Sequence, residues 1–333
     1  MSTGPLVSVI IPTYNRAGVI CKTIDDVFRQ TYKNIELIVI DDGSTDETKA
    51  TLSRYGSRIR LFAQANAGPA AARNHGIEVS RGGIIAFQDS DDLWAPTKLE
   101  RQVRLLERAG EAVPCCLCNM LMRNLDGDGK DHYSFDIALM RPLYEEGLWL
   151  NVAEVLATRF VMFIQAVAIR RRPLEKLGGF DTSLKYLEDY DLPMRLALEG
   201  PWAYIRDPLT IWAGGGSDSF AKKAYGEAIV LHDCMLRILG CALAAAQERG
   251  DVKVERHVRR SMALCRRAVR GIEIAQSGSL GERLVEQLHG QFDRYYKAVL
   301  RRSPWFPKMK AITFEEFEAN SQRIASRLCE QRI

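Results

Sequence analysis

Several features that would place a protein in a specialised class are missing from these 333 residues. No run of about 20 apolar residues occurs, so no transmembrane helix is expected. The N-terminus lacks the basic segment and the cleavable apolar core of a secretory signal. The net charge of +4 is too small to indicate nucleic-acid binding by itself. We therefore expect a cytoplasmic protein with no nucleic-acid partner and with enough length for a sizeable core.

Cysteine and glycine are too scattered for several other functions. Eight cysteines in a chain of this length are too few for a disulfide framework, and reduced thiols are expected. Cys115, Cys116 and Cys118 lack a matching second pair, so buried strand residues are favoured over a metal site. After the first apolar run the chain reads PTYNRAG, which holds neither the dinucleotide-binding Gly-x-Gly-x-x-Gly fingerprint nor a Walker motif. Any phosphate must be held without a glycine cradle.

The first third of the chain alternates short apolar strands with helices. Strands are predicted at 6–11, 35–40, 59–62 and 84–87, and helices at 17–30, after 45, at 68–79 and at 96–108. Ser44 or Thr45 is expected to cap the second of these helices, with Glu47 in its first turn. Strand and helix in repetition predict a mainly parallel sheet with helices on both faces.

Polar clusters follow three of the predicted strands: PTYNR at 12–16, DDGST at 41–45 and DSDD at 89–92. The carboxyl ends of parallel strands meet at one edge of the sheet, where ligands of α/β proteins gather. Turn formation explains DDGST but gains nothing from the three acids of DSDD. Asp89 and Asp91 suit a hard divalent cation, Mg²⁺ or Mn²⁺, that is shared with a ligand diphosphate.

Five segments resemble, in order and spacing, the family-two glycosyltransferases, which have the GT-A fold. They are PTYNR (12–16), DDGSTD (41–46), GPAAARNHGI (68–77), IIAFQDSDDLW (84–94) and LGGFDTSLKYLEDYDLPMRL (177–196). The resemblance covers roughly residues 6–215. It implies metal-dependent transfer of a sugar, with inversion, from a nucleotide-diphosphate sugar that is usually UDP-linked. The implied acceptor is a hydroxyl of a glycan or of a lipid-linked molecule, and the implied cofactor is Mn²⁺ or Mg²⁺.

The resemblance also implies a set of residues that bind the nucleotide sugar. They are Pro12, Thr13, Tyr14, Asn15, Arg16, Asp41, Asp42, Arg73, Asn74, Asp89, Ser90 and Asp92. The main chain at 12–13 would cradle the nucleobase, and Asp42 would contact it with Asp41 close by. Arg73 and Asn74 would pack under the nucleotide. Arg73 would offer its guanidinium to the base or to an acid, or would form a structural ion pair.

The acids of DSDD have different implied roles. Asp91 is the expected direct metal ligand. Asp89 is expected at the ribose or at a metal-bound water, and it is the second candidate ligand. Asp92 would shape the turn or the sugar pocket.

A second acidic group is needed because an inverting displacement requires a carboxylate to accept the proton of the attacking hydroxyl. The sequence Glu188-Asp189-Tyr190-Asp191 resembles the family's ED motif at the start of a helix. The resemblance implies Asp189 as the general base, with Glu188 and Asp191 as alternatives. Helix capping would account for one of these acids but not for three, and the helix dipole would lower their pKa.

One departure from the family concerns the cation. Many relatives carry a histidine just after this helix, whereas 209–220 reads LTIWAGGGSDSF. Either water completes the metal shell or the glycines at 214–216 form a flap over the diphosphate, with a plain linker as the alternative.

The chain is expected to divide at residue 220. A GT-A domain over 1–220 would consist of a nucleotide-binding half, 1–110, and an acceptor half, 111–220. In the acceptor half Trp149 and Tyr144 would stack on a sugar or pack in the core. Successive helices are predicted over 221–249, 251–275, 280–301 and 313–331, giving an all-helical extension over 221–333.

The extension carries the excess of positive charge. Residues 251–270 hold seven Lys or Arg and two acids, a net charge of +5. This face would rest on an anionic membrane, at the inner face of which the protein would be peripheral, or would simply be solvated. The helices could also form a homodimer.

Two other functions compete with catalytic sugar transfer. A nucleotidyltransferase also uses paired acids, but it would want a basic, glycine-rich loop where PTYNRAG stands. A non-catalytic sugar-nucleotide-binding module would keep the acids at 41–42 and 89–92 and lose those at 188–191, which are present. A basic adaptor that acts through its C-terminal helices is a further alternative.

Overall fold

A computed structural model describes residues 4–123, 130–138, 140–159, 164–212, 227–277 and 307–319. In these ranges the strands belong to one sheet. They are β1 (Val7–Thr13), β2 (Ile35–Asp41), β3 (Arg60–Ala63), β4 (Ile84–Phe87), β5 (Leu93–Trp94), β6 (Cys115–Arg123), β7 (Asp131–Tyr133), β8 (Glu146–Trp149), β9 (Val167–Arg170), β10 (Trp202–Trp212) and β11 (Ala311–Ile312). Their order is β11-β8-β10-β6-β9-β4-β1-β2-β3, with β5 beside β10 and β7 beside β6.

Helices pack on this sheet and extend beyond it. They are α1 (Ile20–Phe28), α2 (Thr48–Ser53), α3 (Pro69–Val79), α4 (Lys98–Ala109), α5 (Ser134–Ile137), α6 (Val152–Leu156), α7 (Arg171–Lys176), α8 (Glu188–Ala197), α9 (Ala228–Glu248) and α10 (Val252–Ser277). Short 3₁₀ turns lie at Gly56–Arg58 and Ile164–Ala166, and a further helical segment lies at 314–319.

The first four strands run parallel, as the sequence predicts. β1 pairs with β2 and with β4, and β2 pairs with β3, all in parallel register. Thr13 lies opposite Asp41, and Ile10 lies opposite Phe87. The three polar clusters that follow these strands therefore leave the sheet at the same edge. The rest of the sheet is mixed, because β9 runs antiparallel between β4 and β6.

The buried core bears on two predictions about the middle of the chain, one for the cysteines of β6 and one for Trp149. Cys115, Cys116 and Cys118 are fully buried in β6, and no group of three or more His, Cys, Asp or Glu suited to a metal occurs in the described residues. Trp149 is also fully buried, and its ring meets that of Trp202 edge to face at 6.0 Å. The sugar-stacking alternative for Trp149 is thus excluded in favour of core packing.

The predicted cap of the second helix is wrong. Glu47 occupies the N-cap position of α2 and makes no side-chain cap bond, and neither Ser44 nor Thr45 caps the helix. The loop is fixed from outside instead, because the main-chain NH of Thr45 donates to Asn15 Oδ1 at 2.8 Å. Asp46 Oδ1 also accepts a hydrogen bond from the main-chain NH of Thr48 at 2.9 Å, so a local bond and a tertiary contact together fix the start of α2.

The C-terminal region contains α9 and α10 close to their predicted places, but it is not all-helical. Strand β11 pairs antiparallel with β8, so the segment 307–319 returns to the sheet. Arg108 on α4 pairs there with Glu315 and Glu318 at 2.6 and 3.0 Å. The predicted helix at 280–301, most of that at 313–331 and the glycines at 214–216 lie outside the described residues.

Helix α9 qualifies the expectation that no segment could cross a membrane. Among the described helices it alone is long and apolar enough by length and composition, with a mean hydropathy of 1.7 in its most apolar window. Of that window 28% is buried inside the protein. Its buried residues Ile238, Leu239 and Ala242 belong to the same core cluster as the sheet.

Lys98 at the start of α4 is a buried cation without a carboxylate partner among the described residues. Its side chain is fully buried, and Nζ lies 2.8 Å from Gln102 Oε1 and 3.8 Å from the centre of the Trp94 ring. Burial lowers the pKa of Lys98 to about 8. Between pH 8 and the ordinary lysine value near 10.5 the unfolded chain therefore binds the proton more strongly than the folded chain.

We expect Lys98→Met to stabilise the protein by about 1–2 kcal/mol at pH 7, because it removes the burial of a charge. This stabilisation should become smaller toward pH 9.5, where Lys98 of the folded wild type has already lost its proton. Urea unfolding at both pH values measures this difference. The exposed Lys49→Met on α2 is the matched control and should change little. An equal gain at both pH values would show that Lys98 is not a penalised charge.

Candidate functional site

The turn after β4 presents the DSDD acids at the edge of the sheet. The main-chain NH of Asp92 donates to the carbonyl of Asp89 at 3.1 Å, which closes the turn. Thr23 Oγ1 on α1 donates to the carbonyls of Ser90 and Asp92 at 3.0 and 3.2 Å. Ser90 is buried, so its described contribution is through the main chain. Asp89 and Asp91 keep partly exposed side chains on this fixed turn.

Arg73 on α3 joins the two acidic segments that the sequence separates by about a hundred residues. Its Nη2 lies 2.9 Å from Asp89 Oδ1, and its Nη1 lies 3.0 Å from Glu188 Oε1. The guanidinium is almost completely buried and lies 5.4 Å from the centre of the Phe180 ring. Of the roles that the sequence left open, Arg73 takes that of a partner to acids, because a buried cation requires carboxylates.

Asp189 lies in the same group of charges. Burial, together with the carboxylates of Glu188 and Asp89, raises the pKa of Asp189 to about 8, although Arg73 lowers it. The helix start was expected to lower this pKa, and burial outweighs that effect. A carboxyl with a pKa close to neutral is suited to accept a proton from a hydroxyl.

Asp191, the third candidate base, is engaged elsewhere. Its Oδ2 accepts hydrogen bonds from Arg195 Nε and Nη2 at 2.9 and 2.6 Å. Arg195 also donates to the carbonyls of Leu177 and Gly179, both at 2.7 Å. Asp191 therefore ties α8 to the loop that precedes it, and the structure does not bring it to the charged cluster.

Asp91 contacts a second arginine. Arg16 Nε lies 3.5 Å from Asp91 Oδ2, and both side chains are 38% exposed. Burial and the charge of Asp89 raise the pKa of Asp91, and Arg16 lowers it. With Asp89, this gives a pair of hard oxygen ligands at the edge of the sheet. Such a pair fits Mg²⁺ or Mn²⁺ if a ligand diphosphate and water supply the remaining oxygens.

Asp92 faces away from this pair. Its side chain is 2% exposed, and Oδ2 accepts a hydrogen bond from Gln165 Nε2 at 2.6 Å. This contact fits the predicted role in shaping the turn. Gln165 and Thr23 were not identified from the sequence, and no local signal marks them, because each acts on a turn far from it in the chain.

The two acids at the end of β2, Asp41 and Asp42, also differ in how many of their carboxylate oxygens accept hydrogen bonds. Both oxygens of Asp42 are occupied, by Gln64 Nε2 at 2.8 Å and by the main-chain NH groups of Ala67 and Gly68 at 2.9 and 2.8 Å. Asp41 accepts one hydrogen bond, from the main-chain NH of Ser44 at 3.0 Å. The structure thus leaves Asp41, rather than Asp42, with a carboxylate oxygen that no described residue occupies.

Some of the residues after β1 hold a neighbouring loop in place, and others have side chains that are exposed to solvent. Asn15, with φ of +52°, binds the DDGST loop through its side chain, and Arg16 NH donates to Thr48 Oγ1 at 2.8 Å. Pro12 is buried, whereas Tyr14 is 44% exposed. Thr13 Oγ1 is buried and has no hydrogen-bond partner among the described residues. Tyr14 and Arg16 are therefore the side chains here that are exposed to solvent.

Asn74 on α3 binds the loop that precedes α8. Its side-chain amide donates to the carbonyl of Phe180 and accepts from the NH of Phe180, both at 2.8 Å. A Cβ at Gly179, where φ is +71°, would lie 2.5 Å from Asn74 Oδ1. Only glycine fits this turn. The two hydrogen bonds of Asn74 fix the loop in which Phe180 lies beside Arg73.

Residues 8–171 match the family described as Glycosyl transferase family 2. An uncharacterized glycosyltransferase of Rickettsia typhi is 34% identical over 191 residues, 56% of this chain and 57% of that protein. A UDP-Glc:alpha-D-GlcNAc-diphosphoundecaprenol beta-1,3-glucosyltransferase of Escherichia coli is 44% identical over 103 residues, 30% of this chain and 41% of that protein. The chain spans little more than half the length of the first relatives it matches.

Solved structures show the same fold at low identity. TarS 1–349 of S. aureus, in complex with UDP, matches with a TM-score of 0.60 at 18% identity, over 89% of this chain and 90% of that chain. A mannosyltransferase from Pyrobaculum calidifontis, in complex with GDP-Man and Mn²⁺, matches with a TM-score of 0.52 at 19% identity, over 91% and 83%. The matched segment, residues 8–171, therefore belongs to glycosyl transferase family 2, and the mostly parallel sheet with flanking helices shows that the chain has the GT-A fold.

Proposed function

We propose that this chain moves a sugar from a nucleotide-diphosphate sugar, UDP-linked, to a hydroxyl of a glycan or lipid-linked acceptor. The reaction is a single displacement that inverts the anomeric carbon. One observation carries the proposal: Arg73 joins Asp89, on the donor side, to Glu188, the neighbour of Asp189. A protein that only bound a nucleotide sugar would not need a second acid with a pKa near neutral beside the first group.

Asp189 acts as the general base. As the acceptor oxygen forms its bond to the anomeric carbon, Asp189 takes the hydroxyl proton, and the nucleotide diphosphate leaves with the electron pair of the broken bond. Arg73 holds Glu188 in place, so the charge that raises the pKa of Asp189 remains beside it. Asp191 has no part in this step, because Arg195 occupies it.

Asp91 and Asp89 would hold Mn²⁺ or Mg²⁺, which when bound supplies positive charge against the leaving diphosphate. The Mn²⁺ in the Pyrobaculum mannosyltransferase complex supports a divalent cation as the cofactor. Arg16, which lies beside Asp91, would contact the diphosphate. On the nucleoside side, Thr13 and Asp41 offer the unoccupied side-chain atoms, while Asp42, Asn15 and Asn74 maintain the loops around them.

The donor and acceptor classes have separate support. The TarS complex contains UDP, and the name of the Escherichia coli relative includes UDP-Glc and a diphosphoundecaprenol acceptor. A lipid-linked acceptor is consistent with an enzyme in the cytoplasm at the inner face of a membrane. A homodimer formed through the C-terminal helices remains part of the proposal. The donor sugar would be found by a screen of nucleotide sugars that measures release of the nucleoside diphosphate.

We expect Asp189→Asn to lower transfer at least about a hundredfold, because the amide cannot accept the proton. Unfolding should show unchanged or slightly higher stability at pH 8, because the variant lacks a carboxylate whose ionisation burial opposes. Nucleotide binding should also be retained.

The matched control is Asp233→Asn, an exposed aspartate on α9. It changes the same chemical group outside the cluster and should keep transfer within a few-fold of wild type. Near-normal transfer by Asp189→Asn would rule out its role as base.

The pH dependence of kcat/KM should show an acidic limb at or below about pH 8, since Asp189 must lose its proton to act. Glu188→Gln should move this limb to lower pH, because it removes a negative charge that raises the pKa of Asp189. A limb that stays in place in Glu188→Gln, despite measurable transfer, would contradict the coupling of these two acids.

Asp91→Ala should weaken binding of Mn²⁺ in the presence of UDP by at least about tenfold, because it removes a charged oxygen ligand. Electron paramagnetic resonance of free Mn²⁺ measures the binding without any turnover. Asp233→Ala, which removes an exposed aspartate on α9, is the control for the loss of one negative charge. Equal Mn²⁺ affinity in wild type and Asp91→Ala would exclude Asp91 as a ligand.

A further inference from the structure

Helix α10 carries a charged face that the proposed reaction does not use. Its buried side includes Val254, Val258 and Cys265 and packs toward the rest of the protein. Its other side is exposed and basic over most of its length. The exposed cations are Lys253, Arg256, Arg259, Arg266, Arg267 and Arg270.

Helical geometry places these cations in one broad stripe. Arg256, Arg259, Arg266 and Arg270 follow one another at spacings of three, seven and four residues, which return to the same side of an α-helix. From Lys253 to Arg270 the stripe is about 26 Å long at 1.5 Å per residue. The face is therefore a rod of positive charge rather than a compact pocket.

The stripe is almost without counter-charges. Arg259 pairs with Glu255 at 2.8 Å, but Lys253, Arg256, Arg266, Arg267 and Arg270 make no ion pair with any described residue. On the GT-A part of the chain several arginines do have carboxylate partners, among them Arg101, Arg170 and Arg195. Like charges four residues apart destabilise a helix, so the stripe is unfavourable unless anions outside the chain bind to it.

Exposed aliphatic side chains lie at one end of this stripe. Cys265 Sγ contacts the carbonyl of His232 at 3.5 Å, which places the start of α9 beside the second half of α10. There Ile229 and Val230 are 37% and 36% exposed. A row of cations beside exposed aliphatic residues is typical of helices that lie in the interface of a membrane.

We propose that the exposed face of α10, together with the start of α9, docks on an anionic lipid bilayer. Charge complementarity selects this partner, because the face is long, unpaired and flanked by aliphatic residues that headgroups and upper acyl chains accommodate. Residues 251–270 contain no Phe, Trp or Tyr, whereas single-stranded nucleic acid is bound with aromatic platforms. The purpose of docking rests on the proposed function: it would hold the site near a lipid-linked acceptor.

Vesicle flotation of the full chain tests this docking. Phosphatidylcholine vesicles with about 30% phosphatidylglycerol should bind the protein, and pure phosphatidylcholine should not. Binding should fall steeply between about 50 and 500 mM salt, because exposed charges are screened. The triple change R266Q/R267Q/R270Q should lower vesicle affinity at least about tenfold.

A control of equal charge change separates the stripe from net charge. R54Q/R81Q/R172Q neutralises three exposed arginines elsewhere and should bind vesicles like wild type. Equal loss in both triple variants, or no binding to anionic vesicles at low salt, would overturn the proposal. Tighter binding to a single-stranded oligonucleotide than to vesicles would also overturn it. The proposal would fail as well if the protein forms a dimer that covers the stripe and must dissociate before vesicles can bind.

Hydrolysis of a UDP-sugar without acceptor distinguishes this failure from failure of the proposed function. It requires the donor site alone, so R266Q/R267Q/R270Q should hydrolyse the donor at the wild-type rate. Vesicle binding by a protein that turns over no nucleotide sugar would leave the docking surface intact and remove the proposed function.

Discussion

The site depends on one buried interaction, the guanidinium of Arg73 between Asp89 and Glu188. A buried cation is costly without carboxylates, and carboxylates gathered at one place repel one another without a cation. The arginine therefore offsets the repulsion between the carboxylates, and the carboxylates offset the cost of burying the arginine. The contact joins α3, the turn after β4 and the start of α8, which are distant in the chain. The donor side and the proposed base consequently occupy one rigid cluster.

The balance of charge in this cluster remains negative. Arg73 and Arg16 face Asp89, Asp91, Glu188 and Asp189, so two positive groups meet four acids. An uncompensated carboxylate in a buried place favours its protonated form, which is why the pKa of Asp189 lies near 8. The proposed binding of a divalent cation and the raised pKa of the proposed base would thus have one electrostatic origin.

Acidic residues that are adjacent in sequence have different roles because their side chains point in different directions. Asp91 is open at the edge of the sheet, while Asp92 meets Gln165. Asp42 is saturated by the chain before α3, and Asp191 is held by Arg195. These engaged acids position the loops on which the open acids stand. Replacing one of them would disturb geometry rather than remove a reacting group.

Residue patterns along the chain were sufficient to predict the parallel strands β1 to β4, the common edge of their polar clusters and the family. Apolar periodicity and turn residues are local, and parallel strands must end at one edge. Four other facts emerged from the folded protein: Arg73 bridges two acids, Asp42 is occupied, Trp149 packs in the core and β11 returns to the sheet. These facts depend on residues far apart in the chain, and neither spacing nor composition records which of them meet.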